Sequence, residues 1–568
     1  MSIIPPNVES VITAYITPLL DWFSQRIYAD LIRRASDHLL VQLHQHLDLA
    51  PLEEACASFH HDAGPGRLPE HTVPRLVRAL LVKYLYDHSL RSLESEIRFH
   101  LVVKWFVGYP ISASGPDHTT LERFELWVCK NHRRTFFDQV LLQIDHAFPD
   151  QRRQVQIGDT FAMRANAARE SLIPLIRHVC RRLLAALSRA DTERAAWVDS
   201  QMDRIALFGP DDEVDVYYLS PEKRAERLHT TVCAALDCAD LVRHALEHPS
   251  PLPAETRAPL AQWLDLLDKA ITDDVKVTRD EQGRIVQVSK LPVKKKGSYR
   301  LGSATDPDAT YRIHGKKKAL GYNVNVAVND QFVREIQADT GAQPDNVAIP
   351  DLVQSQRTHH DLVPPKLLYD AAAGSGKTRA LVAQASKGQT QLSAPLLPHS
   401  KPTKFFTPDC FQLSEDGRTL TCPNGLTSSV SYPRPDLEGR WFRFYASRCR
   451  GCPLWEQCRK HKPNTKSHRV VYISDFRPEV DAAARYNQSD AYKADRKLRP
   501  LVEQTIAHLV RYNGARHARR RGKLAADFQA KMCAMAYNLK RWMRLVSAQT
   551  GGTTGQCATA TPEPSLAV

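Results

Sequence analysis

Two short apolar runs, each closing on an aspartate, constrain this chain more than any other feature in it. "RRQVQIGDT" alternates apolar and polar residues through Val155 and Ile157 and reads as a strand ending at Asp159. "PPKLLYD" is short enough for a buried strand ending at Asp370, and "KTRALVAQAS" continues from it as a helix. A third acid, Glu503, sits inside the strongly helical "DAYKADRKLRPLVEQTIAHLVRYNG". Separations of 211 and 133 residues mean that only a fold can bring the three together. In a mixed α/β sheet, strand ends converge on one edge, and an acid from a packed helix can complete the cluster. Three carboxylates around one or two divalent ions suit phosphodiester chemistry. Metals ~3.5–4 Å apart activate the attacking oxygen and stabilise the leaving one. Mg²⁺ (or Mn²⁺) takes such hard oxygen ligands and keeps some waters. A single Asp or Glu is usually a solvated surface residue, so the weight rests on the three together.

Around these runs the pattern is mostly helical. Residues 1 to about 150 place apolar residues at helical spacing, as in "TVPRLVRALLVKYLYDHSLRSLESEIRFHLVVKWFVG", with Arg and Lys on the other face. "GPDHTTLERFELWV" starts a further helix, with Thr119 and Glu122 in capping-box spacing. Residues 168 to about 275 return to Leu-, Ala- and Arg-rich helix, and the basic "SKLPVKKKGSYRLGSATDPDATYRIHGKKK" reads as a loop. "ALGYNVNVAVND" and "FVREIQADTG" form a hairpin with Asn329-Asp330 near its turn. After about residue 547 the chain is small and polar, and disorder is the expectation.

Five of the twelve cysteines, Cys410 to Cys458, fall in a Pro- and turn-rich stretch from 391 to about 475. Cys449-x-x-Cys452 lets two thiolates reach one ion, and with Cys422 and Cys458 four thiolates close a tetrahedral structural Zn²⁺ site. Cys410 or His461 can substitute for one ligand; free thiols and an iron–sulfur cluster are the other readings. The remaining cysteines are scattered and read as buried thiols. A net charge of +14 and a pI near 9.2 favour a polyanionic partner, most simply nucleic acid. "RYNGARHARRRGKL" carries Arg511, Arg516, Arg519, Arg520, Arg521 and Lys523 with no acid, and these are candidate contacts to a DNA backbone. The runs Lys294–Lys296 and Lys316–Lys318, Arg499 beside Glu503, and Lys377 join them; solvated loops and ion-paired helix faces are the plain alternatives. No window approaches a membrane span and no leader is evident, so the expectation is a cytoplasmic protein without a membrane partner.

The ordered set of stretches resembles the transposases of bacterial insertion sequences, the DDE group with a ribonuclease H-like core. "RSLESEIRFHLVVKWFVGYPISASGPDHTTLERF" resembles their N-terminal helical signature, and "GDTF" and "LLYDAAAGSGKTRA" the turns holding the first and second Asp. "ATDPDATYRIHGKKKALGYNVNVAVN" resembles the strand region between them. "RPLVEQTIAHLVRYNGARHARRRGKLAADFQAKMCAMAYNLKRW" resembles the closing helix with its Glu. Some members carry a Tyr and a Lys where this chain has Arg496 and Val510.

The resemblance implies a fold and a layout. An N-terminal helical DNA-binding domain spans 1–150. A ribonuclease H-like mixed-sheet core spans 151–390, with a helical insertion at about 168–308, and resumes at 476–546. A Cys-rich, zinc-binding-like insert spans 391–475 and a disordered tail 547–568. It also implies cleavage at element ends and joining of the 3′-OH to target DNA by a two-metal mechanism. Asp159 and Asp370 would hold the metals and Glu503 would complete the site. Double-stranded DNA is the implied partner, a homodimer or larger synaptic complex the implied assembly, and the bacterial nucleoid the implied place. A catalytically silent DNA-binding descendant is the alternative. A P-loop ATPase around "GSGKT" is a weaker one, because Ala371 stands where that pattern needs Gly.

Overall fold

The computed structural model describes residues 17–62, 71–210, 216–292, 295–315, 317–396, 404–460 and 466–551. Its centre is a mixed sheet. Strands β1 (Gln156–Arg164), β4 (Thr310–His314), β5 (Lys317–Val328), β6 (Val333–Thr340), β7 (Lys366–Leu368) and β8 (Gln391–Ser393) build it, while β2 (Val275–Arg279) and β3 (Ile285–Lys290) form a separate hairpin. β6, β5 and β1 run antiparallel to one another, and β7 and β8 follow β1 in parallel. β4 pairs with the first half of β5. The β5–β6 turn is held by Asn329, whose Oδ1 accepts the amides of Gln331 and Phe332, a turn-forming role Asn fills well.

One apolar core runs through the N-terminal helices, one face of the sheet and the last helix, Lys523–Gly551. Helix Val73–Leu85 is buried over most of its length because it packs against that last helix, whose alanines (Ala526, Ala530, Ala534, Ala536) permit close approach. The N-terminal region is therefore built into the core. Helices Leu172–Ala190, Pro221–Glu247 and Ala254–Asp274 close a second core with β2–β3. Helices Asp345–His360 and Gly376–Ala385 cover β7 and β8 through Ile349, Val353 and Val382. The Cys-rich stretch folds into two small sheets, β9 (Gln412–Leu413) with β10 (Leu420–Thr421) and β11 (Thr427–Ser428), and β12 (Ser431–Arg434) with β13 (Gly439–Phe444) and β14 (Arg469–Ser474). Its core is six residues, Phe411, Leu420, Phe442, Phe444, Val471 and Ile473, small for the chain it must hold. Among the described residues, no helix is long and apolar enough to cross a membrane.

Four expectations from sequence are corrected. β1 does not end at Asp159 but runs on to Arg164, because β5 pairs with it along its whole length from Ile157. The cap of helix His118–Asn131 is Asp117, whose carboxylate accepts the Thr120 amide at 2.7 Å, and not Thr119. The basic stretch before residue 318 is not all loop, since it contains β4. The last helix continues to Gly551, past the boundary expected at 547; Cys557 and the rest of that tail, like Lys294, Lys316 and His461, lie outside the described residues.

Candidate active site

β1 and β7 lie side by side in parallel with Ile157 opposite Leu368, so two residues further along are Asp159 and Asp370, on strands that run about 4.8 Å apart. Asp159 accepts the Thr160 amide at 2.8 Å on one oxygen and the Arg499 guanidinium at 3.0 Å on the other. Asp370 caps the short turn Ala371–Ala373, accepting the Ala372 amide at 2.9 Å. Glu503 stands in the first turn of helix Pro500–Tyr512, 65% exposed, and Arg499 reaches it at 3.9 Å. One guanidinium thus spans the first and third acids.

Burial is the largest cause that pushes the Asp159 carboxyl above the usual range. The charges of Asp370 and Asp345 push it the same way, while the Thr160 amide and Arg499 pull it back. Tyr369 lies buried behind the acids, its hydroxyl bonded to Asn325, and burial together with Asp159, Asp345 and Asp370 raises its phenol well above the ordinary value. Its ring explains the glycine of "GDTF": a Cβ on Gly158 would stand 2.2 Å from the ring. Gly158→Ala is expected to cost about 1–3 kcal/mol, read as a lowered denaturant midpoint, because an overpacked core must shift the ring or the strand.

The two helices that precede the Glu503 helix, Arg477–Tyr486 and Asp490–Lys497, are tied to the sheet by groups that sequence reasoning missed. Lys366 of β7 donates to Asp495 at 3.0 Å and to the Tyr486 hydroxyl at 2.8 Å, and Arg496 donates to the Tyr369 carbonyl at 3.3 Å. Asp345, which opens helix Asp345–His360 and accepts from Asn323 at 2.7 Å, is a further acid near the pair. Its signal in the sequence is only a Pro-Asp helix start.

The cationic candidates separate into two groups. Arg511 at the end of the Glu503 helix, Arg516 and Arg521 in the loop after it and Lys523 at the start of the last helix are exposed, with Lys523 3.6 Å from Asp339 and Arg521 donating to the Asn166 carbonyl at 3.3 Å. Arg519 and Arg520 are engaged within the protein: Arg519 pairs with Asp87, and Arg520 with Glu122 at 2.9 Å and Glu125 at 3.1 Å. Lys377 is paired as well, with Glu438 of the Cys-rich region at 2.6 Å. Gly376 opens a helix capped by Ser375, and a Cβ there would stand 2.6 Å from the Phe476 carbonyl, so that glycine serves packing.

Cys422, Cys449, Cys452 and Cys458 line one cavity of about 40 Å³ with Phe411, Phe444 and Trp455, whereas Cys410 is exposed and outside it. Tight turns close on the first three, with the Gly425 amide on the Cys422 carbonyl at 2.8 Å and the Cys452 amide on that of Cys449 at 3.2 Å. Burial first, and then the neighbouring cysteines, push the Cys449 thiol up. Among the described residues no three His, Cys, Asp or Glu side chains stand ready-made around a metal position.

Asp159 and Asp370 on neighbouring strands, with Arg499 between Asp159 and Glu503 and exposed Arg and Lys beyond, form the kind of arrangement found where proteins meet polyanions. Two family matches make it particular. Residues 29–125 match a transposase domain (DUF772), and residues 421–543 match a transposase DDE domain. The chain is an insertion-sequence transposase of the DDE group. Glu503 lies inside the second matched segment, and Asp159 and Asp370 lie outside both. No curated protein and no solved structure matched the chain.

Proposed function

We propose that this DNA transposase cuts phosphodiesters at the ends of its insertion sequence and joins the freed 3′-OH to target DNA, with Asp159, Asp370 and Glu503 as its metal-holding acids. The observation that carries the reading is the Asp159 carboxyl, raised by burial and by its acidic neighbours, with Arg499 reaching Glu503 from the same place. Carboxylate oxygens are the hard ligands that suit Mg²⁺ or Mn²⁺, which would sit among these three residues. When bound, the metal supplies activation of the attacking oxygen and neutralisation of charge at the scissile phosphate. A metal ligand must be deprotonated, so the upward push on the Asp159 carboxyl makes divalent-ion affinity fall sooner, as pH drops, than it would at an ordinary carboxylate. Arg499 holds Asp159 and Glu503 within one side chain's reach, and its Nη1 is buried without a protein partner. The sheet order β6–β5–β1–β7–β8, three antiparallel strands then two parallel, supports a ribonuclease H-like core.

Exposed Arg511, Arg516, Arg521 and Lys523 would lie along double-stranded DNA, both element ends and target, and pairing two ends calls for a dimer or larger complex. The test uses full-length protein, Mg²⁺ and DNA carrying the flanking terminal repeats. Asp159→Asn, Asp370→Asn and Glu503→Gln should each lose cleavage and keep DNA binding. A requirement for ATP, or full activity in any of the three, would sink the assignment.

The same reading places a structural Zn²⁺ on Cys422, Cys449, Cys452 and Cys458. It would stabilise a module whose apolar core is too small to hold it alone. Purified protein is expected to carry about one zinc per chain, and Cys452→Ser to lose it and melt the module first. Unchanged zinc content in that variant would count against the site.

A further inference from the structure

The loop from Asn513 to Gly522 leaves the helix that carries Glu503 and is stitched to the strand that carries Asp159. The Arg164 amide, at the end of β1, donates to the Arg516 carbonyl at 2.9 Å, and the Ala518 amide donates back to Arg164 at 2.8 Å. Gln529 of the last helix holds the loop from behind. Its Nε2 donates to the Gly514 and His517 carbonyls at 2.8 Å each, and its Oε1 accepts the Arg519 amide at 2.7 Å. From the other side come the N-terminal helices. Glu122 and Glu125 pair with Arg520, Asp87 pairs with Arg519, and the Arg519 guanidinium lies 5.0 Å from the Tyr84 ring centre. Glu125 is itself buried, bonded to Lys83 and to the Tyr84 hydroxyl. The two matched transposase segments meet at these ion pairs.

We propose that this clamp fixes the spacing of Asp159 and Glu503, making Arg520 a positioning residue of the metal site. The proposal rests on the carboxylate-site reading. A piece of chain rigidly bonded to both acid-bearing elements, and anchored at its far end by a half-buried guanidinium between two carboxylates, sets how far apart the acids stand. Cation binding depends on that spacing, because outer partners that orient ligands tune affinity without touching the ion. Paired as they are, Arg519 and Arg520 have little charge left for a phosphate.

The experiment is a Mn²⁺ titration of the full chain, with end cleavage, DNA affinity and its salt dependence measured alongside. Arg520→Gln is expected to weaken Mn²⁺ binding roughly 10-fold and cleavage with it, leaving DNA affinity and salt slope as they were, and Arg520→Lys to recover most of the loss. Asp87→Asn, at an exposed position that tolerates exchange, should shift Mn²⁺ affinity less but in the same direction, at an unchanged melting temperature. Unchanged Mn²⁺ affinity in Arg520→Gln, with weaker DNA binding and a salt slope lower by about one, would make Arg520 a phosphate contact and overturn the proposal. If Arg520→Gln fails to fold, wild-type affinity in both Arg520→Lys and Asp87→Asn overturns it as well. Wild-type Mn²⁺ binding that survives Asp370→Asn would instead bring down the carboxylate-site reading, and this proposal with it.

Discussion

Asp370→Asn is expected to reduce end cleavage by at least ~10³-fold, the factor that several kcal/mol of lost transition-state stabilisation represents, and to raise the thermal midpoint of the metal-free protein. The two effects have one cause. Asp370 stands beside Asp159 on the neighbouring strand, and its charge is one of those that raise the Asp159 carboxyl. Without a divalent ion that repulsion only destabilises the fold; with one, the same charge is needed as a ligand. Asn keeps the side-chain oxygen that accepts the Ala372 amide, so the turn is preserved and only the charge is lost. Relief of the repulsion should be worth about 1 kcal/mol, in keeping with the usual opposition between stability and function at a strained site. Calorimetry in chelator, paired with a cleavage assay in Mg²⁺, reads both. A midpoint that fell, or cleavage that persisted, would mean that Asp370 is a structural cap and no more.

How much of this was legible in the sequence follows from how local each signal is. An apolar run that must be buried and then ends on an acid carries its own evidence, so β7 and its aspartate could be found without a structure. β1 was found but cut short, since polar Thr160 and Arg164 look like an exit from the sheet until β5 supplies partners along the whole strand. Tyr369 and Asp345 were missed, as nothing in "LLYD" or "QPDN" tells that one ring packs on Gly158 or that the other side chain meets Asn323. The ion pairs of the charged loop were invisible for a related reason. Arg519 and Arg520 form a basic run with Arg521, and basic runs suit phosphate, but Glu125 lies 395 residues from Arg520 and only the fold brings them into contact. Lys377, a candidate contact to a DNA phosphate in the sequence, likewise meets an acid from 61 residues away, Glu438.

The same interior ion-pair network sets the largest stability effect expected of a single substitution. Glu125→Leu should destabilise the protein by ~3–5 kcal/mol near neutral pH, because it removes the carboxylate that pairs a buried ammonium. Lys83 and Glu125 are each only 3% exposed. Burial pushes the Lys83 ammonium down to about 8, with Arg519 and Arg520 pushing the same way and Glu125 pulling it back up; Glu125 itself is held down by Lys83 and Arg520, so both are charged at neutral pH. Without Glu125 every remaining cause acts to lower Lys83 further. Folding of the variant then requires Lys83 to give up a proton that the unfolded chain keeps up to its ordinary range near ~10.4. A base depressed in the fold makes stability rise with pH once pH passes its folded value, since the unfolded state binds the extra proton. The variant should therefore begin to gain stability at lower pH than the wild type, whose own gain from Lys83 starts only near its folded value of about 8, as denaturant melts across neutral pH would read. Adding Lys83→Met removes the unpaired charge and should restore most of the loss, leaving Arg520 with Glu122. A loss under ~1 kcal/mol in the single variant, or no rescue in the double, would mean that water reaches Lys83 and that the pair contributes no more than a surface one.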